Sequence, residues 1–258
     1  MIKLSATVIT FNEENNIARC LDALKSVADE IIVVDSYSTD KTEEICESYR
    51  VKFIKNKFEG HIEQKNFALE QTCHQTVLSV DADEVLSPEL QQSIINMKKN
   101  IEFDGYVFNR LNNYCGKWIY HCGWYPDKKL RIIKKGHGKW IGENPHDYLQ
   151  LNDSRQKQGF LIGDLHHYSY NTISEHVAQA NKFTSISSKA AFEKGVRVGR
   201  YKGFYRGILQ FFRDYLLKGG ILDGHYGLVI CILNGHSTFL KFEKIYEYQI
   251  NEKKHKLI

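Results

Sequence analysis

Between Leu4 and Asn100 the chain repeats one pattern four times, a short apolar run followed by a stretch with helical spacing. LSATVIT leads into NNIARCLDALKSV, where Ile17, Cys20, Leu21 and Leu24 share one helical face. EIIVVD is a continuous apolar run of the kind that suits a parallel strand buried on both faces. After it, Asp40 and Glu43 stand as N-cap and N3 of a capping box opening KTEEICESYR. VKFIK precedes a helix around IEQKNFALEQ, and TVLSV precedes the helix PELQQSIINMKKN, for which Ser87-Pro88 supply an N-cap and an N1 proline. The order βαβαβαβα predicts an α/β fold: an open, mostly parallel sheet with helices on both faces. Ligands of such sheets bind beyond the carboxyl ends of the strands.

Three polar clusters fall at those ends: Thr10-Phe11-Asn12-Glu13 after the first strand, Asp35-Ser36 after the second, and Asp81-Ala82-Asp83 after the fourth. In an extended segment Asp81 and Asp83 point to one side, so both can converge on one ligand while Glu84 points elsewhere and leads into the next loop. Two carboxylates with oxygen surroundings suit Mg²⁺ or Mn²⁺, which bind through one or two carboxylates plus a substrate's phosphates. The competing structural reading is a solvated loop entering a helix. A calcium loop is excluded because Val85, Leu86 and Gln92 stand where a ligand, a glycine and a glutamate are needed, and no G-x-G-x-x-G or G-x-x-x-x-G-K-[ST] follows any strand.

From residue 103 the pattern changes. DGYVFNRLNNY and KKLRIIKK read as antiparallel strands around a loop, CGKWIYHCGWYPD; a second loop, GHGKWIGENPHDYL, precedes a strand pair at 148–152 and 160–168, and helices fill the chain from about 174. We therefore expect a sheet domain over 1–170 and a helical extension over 171–258. At 258 residues with 42% apolar and 26% charged, the chain has the composition of a folded globular protein. It has no long apolar span and no secretory signal pattern, so the expected compartment is the cytoplasm. The six cysteines form no CxxC pair, which argues against a disulfide framework; the tract Cys115, His121, Cys122 leaves zinc as a minor alternative to reduced thiols. Between Arg197 and Lys218 six basic residues and one acid interleave with aromatics, a segment suited to anionic partners. It reads either as a helix in a membrane interface or as a packed helix with a solvated basic face.

ATVITFNEENNIARCLDAL, EIIVVDSYSTDKT and LSVDADE, in this order, resemble the nucleotide-binding half of glycosyltransferase family 2, inverting enzymes of the GT-A type. GKWIYHCGWYPDKKLRI, GENPHD, FFRDYLLKGGILDGHYGL and KFEKIYEY resemble a subgroup of lipopolysaccharide-core β-1,4-glucosyltransferases, so the likeness covers nearly the whole chain. That subgroup usually carries His-Glu where this chain has His146-Asp147.

The resemblance implies that Thr10, Phe11, Asn12, Glu13 and Asp35 cradle the uracil and ribose of a UDP-sugar. Asp81 then reaches the ribose or the metal's water shell, and Asp83 binds a divalent cation, Mg²⁺ or Mn²⁺, bridging the diphosphate. For Asp35 a helix-capping role after the strand competes. Asp147 matches the family's catalytic acid position, with Glu143 as reserve base, taking the proton of the acceptor hydroxyl. Arg131 reads either as charge near the diphosphate or as one more exposed strand cation, and His146 either orients the base or diphosphate or is a structural loop histidine. Trp118, Trp124 and Trp140 are candidates for sugar stacking or core. The implied partners are a UDP-sugar, glucose foremost, a lipopolysaccharide-core or other glycan acceptor, and the cytoplasmic face of the inner membrane; no nucleic acid is expected, and the oligomeric state is not readable. A nucleotidyltransferase is disfavoured by the absence of glycine in VITFNEENN, and a non-catalytic binding protein by the retained acids.

Overall fold

The computed structural model describes residues 1–143 and 146–255, excepting the side chains of His146 and of residues 253–255. The chain divides into two compact units, Met1–Leu111 with Pro126–Tyr168 and Asn112–Tyr125 with Ser169–Ile258.

The first unit opens with the expected alternation: β1 (Leu4–Thr10), α1 (Ile17–Lys25), β2 (Glu30–Asp35), α2 (Thr42–Ser48), β3 (Lys52–Lys55), α3 (His61–Glu70) and β4 (Thr76–Asp81). A three-residue strand β5 (Glu84–Leu86) and α4 (Pro88–Met97) follow. The strands β3-β2-β1-β4 are parallel neighbours. Period-two side-chain alternation divides their two faces. Leu4, Ala6, Val8, Val33, Leu78 and Val80 pack with α1 and α4 on one face, while Ile32, Val34 and Ile9 meet Ala68 and Phe67 of α3 on the other. Ser87 caps α4 as expected, its hydroxyl accepting from Leu90 N at 3.2 Å.

Beyond β4 the sheet turns antiparallel, through β8 (Asp127–Lys134), β6 (Gly105–Tyr114), β11 (Gln158–Tyr170) and finally β5. The parallel part is thus four strands, because the next strand, β8, pairs antiparallel with both β4 and β6. The stretch expected as a loop before 148 is instead a two-stranded ribbon, β9 (Gly138–Glu143) with β10 (His146–Leu151), whose Trp140, Leu149 and Leu151 pack onto Ile133. Its glycines and charges resemble a loop in sequence, yet the two strands pair directly as a hairpin, from Glu143 opposite His146 to Gly138 opposite Leu151. The Asp40–Glu43 capping box is also absent. The helix starts later, Asp40 Oδ1 accepts from Thr42 N at 3.0 Å, and Glu43 pairs with Lys55 at 2.7 Å.

In the second unit, β7 (Lys117–Ile119) forms a hairpin with the last residues of β6, and α5 (Ile173–Glu193), α6 (Lys202–Phe212) and α7 (Gly224–His255) follow. Residues 112–125 group here because Tyr114, Ile119 and Cys122 are buried with Ile230 and Cys231. Trp124 joins that core edge-on to Tyr114. His121 and Cys122 face Asp223, and among the described residues no group of three His, Cys, Asp or Glu is placed to hold a metal.

His176 lies buried in this core, stacked on Tyr170 with Nδ1 3.1 Å from the Tyr114 hydroxyl. Burial pushes its pKa down from 6.5 to about 4. A depressed folded-state pKa means full stabilisation above pH 6.5 and progressive loss as pH falls from 6.5 to about 4, as the unfolded chain takes up the proton first. Urea midpoints at pH 7 and pH 5 should therefore diverge, by up to about 1.4 kcal/mol per pH unit, and His176→Gln should flatten that divergence.

Candidate active site

The carboxyl end of β4 collects a chain of alternating charges, all within the first unit. Lys65 Nζ sits 2.8 Å from Asp147 Oδ2 and 3.0 and 3.1 Å from the two oxygens of Asp81. Arg131 Nη2 lies 3.7 Å from Asp81 and 2.6 Å from Glu84 Oε1. Glu84 is approached by Arg110 at 3.5 Å, and Arg110 pairs in turn with Asp127 at 2.9 Å. Lys65, Glu84 and Arg131 are all buried. Buried charges persist only when paired and hydrogen-bonded, and here Asp81 and Glu84 each have a cation on either side.

Local structure explains how these groups meet. The antiparallel register that sets Ile132 opposite Leu78 brings Arg131 alongside the end of β4. The Asn66 side chain donates to Trp140 O and accepts from Trp140 N, both at 2.9 Å, which fastens α3 to β9. Its neighbour Lys65 is thereby held beside Asp147, with the Trp140 ring 4.2 Å beneath the ammonium. The same ring lies 5.0 Å from the Arg131 guanidinium, so Trp140 is a buried support for two cations.

Burial would raise the Asp81 pKa, but the Lys65 ammonium, followed by Arg131, holds this carboxyl well below the usual carboxylate range. The repulsion between Asp81 and its acidic neighbours is thus answered by the protein's own cations. Glu84, read from sequence as leading into a loop, instead begins β5. It accepts from Asp81 N at 3.0 Å, tying the DADE turn together from inside.

Asp83 has a different partner. β5 pairs with β11 so that His167 lies opposite Glu84. That register sets His167 Nε2 3.1 Å from Asp83 Oδ2, while Asp83 O accepts from Tyr168 N at 3.0 Å. Tyr168 in turn lies under the Arg19 guanidinium at 3.6 Å. A carboxylate and an imidazole, both partly solvent-accessible, form a donor pair that suits Mn²⁺, with substrate oxygens and water to complete the shell, whereas Mg²⁺ would use the carboxylate alone. His167 was absent from the residues singled out in the sequence; the paired histidines in LHHYSY, on opposite faces of a strand, are the signal that could have found it.

The loops after β1 and β2 are stitched together. Ser38 Oγ accepts from Asn12 N at 2.8 Å, and Asn12 Oδ1 accepts from Thr39 N at 2.8 Å, with Asn12 and Tyr37 both in the left-handed region. Asp35 is fully buried and accepts from both Ser38 N and Ser38 Oγ, so it holds the 35–38 turn and not the start of α2. Thr10 Oγ1 is buried without a hydrogen-bond partner, whereas Phe11 projects into solvent. Burial raises the Glu13 pKa, opposed by its bond from Asn16 Nδ2 at 2.6 Å, and Asp83 adds to the rise. Glu143 is exposed at the end of β9, Arg131 is internal and not an exposed strand cation, and the His146 side chain lies outside the described residues.

The geometry defines an α/β protein with an acidic, cation-braced site at its strand ends, and the family comparison agrees. The model of glycosyl transferase family 2 matches residues 5–157. The chain belongs to glycosyl transferase family 2, and it is an enzyme of that class. It is similar to an uncharacterized glycosyltransferase of Rickettsia bellii, 30% identical over 261 residues that cover 96% of this chain and 87% of the relative. It is also similar to the lipopolysaccharide core biosynthesis glycosyltransferase LpsC of Rhizobium meliloti, at 27% identity over 95% of this chain and 93% of that one. Among solved structures, S. aureus TarS 1-349 in complex with UDP aligns over 97% of this chain and 92% of its own, with 16% identity and a TM-score of 0.47.

Proposed function

We propose that this glycosyltransferase moves a hexose, glucose from UDP-glucose foremost, onto a sugar of the lipopolysaccharide inner core, working from the cytoplasm and inverting the anomeric centre. The observation that carries the reading is the separation of labour among the acids. Asp81 is neutralised internally by Lys65 and Arg131, while Asp83 faces His167 at 3.1 Å. Asp83 and His167 would hold a divalent cation, which supplies positive charge to the diphosphate of the departing UDP. The loop at Thr10 to Glu13 and the Asp35 turn would receive the uridine, and Asp147 would accept the proton of the acceptor hydroxyl. In that step the acceptor oxygen bonds to the anomeric carbon, the bond from that carbon to the phosphate oxygen breaks, and UDP leaves with its electron pair. The likeness to LpsC supports a core-sugar acceptor.

The test is UDP release from a panel of UDP-sugars, with Mn²⁺ or Mg²⁺ and extracted lipopolysaccharide core as acceptor. UDP-glucose should turn over fastest, and a different preferred donor would overturn that part of the assignment. EDTA, or Asp83→Asn, should remove turnover and weaken UDP binding by at least about tenfold, the loss of one strong charge-assisted contact. UDP affinity by calorimetry that is unchanged in EDTA would end the metal reading.

A further inference from the structure

We propose that the helical unit docks on an anionic lipid surface, inserting α6 and the turn beyond it into the headgroup boundary. The inference rests on the second unit alone and is independent of the donor and acceptor named above.

Helix α6 has three faces. Gly203 and Gly207, one turn apart, are buried against α7, where Gly207 meets the backbone of Gly235 and the side chain of Phe239. A side chain at either glycine would collide with α7, so this face is committed to packing. The rest of the helix exposes Phe204, Tyr205, Ile208, Leu209 and Phe212, of which Phe204, Ile208 and Phe212 line an apolar groove with Ile232 and Phe239 of α7. Between these faces runs a basic stripe of Lys202, Arg206 and Arg213, all exposed. The only acid between Arg197 and Leu222 is Asp214, which is buried and bonded to Gln210, Asn234 and Lys218.

The apolar face continues past the helix. Residues Arg213–Leu217 form one π-helical turn and Gly220–Asp223 one 3₁₀ turn, with Gly219 and Gly224 left-handed at φ 67° and 63°. These conformations turn the chain sharply, and the helical segments Lys202–Leu217 and Gly220–Glu252 meet at a bend of 72°. The bend thrusts Leu217 and Leu222 outward, 84% and 71% exposed, with Leu216 and Ile221 beside them. No single helix among the described residues is long and apolar enough to cross a membrane, although the bent pair is so by length and composition taken together. The basic stripe along α6 favours the shallower placement: a wedge of leucine and isoleucine at a turn, continued by an aromatic and aliphatic helix face and flanked by cations, is the pattern of interfacial insertion. An apolar surface this continuous marks an interaction site, and the basic stripe selects a negatively charged partner over a neutral one.

The experiment is co-sedimentation of the full chain with vesicles of phosphatidylcholine and phosphatidylglycerol, against vesicles of phosphatidylcholine alone, at low salt. Anionic vesicles should retain the protein and neutral ones should not, and raising the salt should weaken binding. L217D/L222D should lose at least about tenfold in partition as apolar insertion is removed, and Arg206→Glu about fivefold or more at a position that makes no demand on the fold. Circular dichroism of both variants checks folding. Equal sedimentation with the two vesicle types, or binding unmoved by both variants, would overturn the proposal. So would a dimer in light scattering that L217D/L222D dissociates, without vesicle binding, since that assigns the face to a second copy of the chain.

Discussion

Lys65→Met should be among the most destabilising single substitutions in the sheet unit, costing about 3–5 kcal/mol, the range for breaking a buried ion pair by removing one partner. Its ammonium is within 3.1 Å of Asp81 and Asp147 together, so methionine would leave two carboxylates facing each other with one cation, Arg131 at 3.7 Å from Asp81, to answer them. Folding stabilities are commonly about 5–15 kcal/mol, so the loss should be visible as a large fall in the urea midpoint at pH 7 with an unchanged slope. Adding Asp147→Asn to Lys65→Met should return part of the loss, because one of the two stranded charges is then gone; the double-mutant cycle measures that coupling. A pH titration gives a second readout. Asp81 has a depressed folded-state pKa, so its stabilisation is complete above its ordinary pKa of about 3.9 and is lost as pH falls below that. Without Lys65 the depression shrinks, and the acid limb of the stability profile should become shallower. A variant as stable as the parent would mean that the Lys65 contacts contribute nothing.

That lysine also shows where sequence reading stops. The strands β1, β2 and β4 are legible in the sequence because a run buried on both faces has few other uses, and their carboxyl ends mark Thr10 to Glu13, Asp35 and Asp81 to Asp83 as neighbours. Each of those features is local. Lys65 stands between Ile62 and Leu69 at helical spacing, on the side of α3 that packs, yet a lysine there looks like any solvated helix charge until β9 is seen to cover it. His167 depends on the β5–β11 register and Arg131 on the β4–β8 register, and neither pairing is written in any short window. The β9–β10 ribbon is a local hairpin, but its glycines and charges give it the composition of a loop. In Glu84 the reading of an outward loop residue fails because strand alternation gives only the side of the ribbon, whereas burial is decided by what the chain later places there.

Asp147→Asn should behave in the opposite way to Lys65→Met: little loss of stability and a large loss of turnover. The substitution keeps an oxygen that can accept from Lys65 Nζ, now 2.8 Å from Asp147 Oδ2, and Lys65 retains Asp81 as its ionic partner, so no buried charge is stranded. What the amide lacks is the capacity to take up a proton. If Asp147 is the base, kcat should fall by about 10²–10⁴-fold, the usual contribution of a positioned general base. UDP affinity should stay within about twofold, because the donor contacts proposed above lie on Asp83, His167 and the strand-end loops; such a split between kcat and binding identifies a group used in the chemical step. Glu143→Gln is the control, an exposed carboxylate on the paired strand, whose backbone register sets His146 opposite Glu143 and Asp147 opposite Gly142. Full turnover in Asp147→Asn with loss in Glu143→Gln would move the base four residues back along the ribbon. Loss of turnover in Asp147→Asn together with a lower urea midpoint would instead make Asp147 a partner that holds Lys65 in place, because only a chemical role leaves the fold untouched.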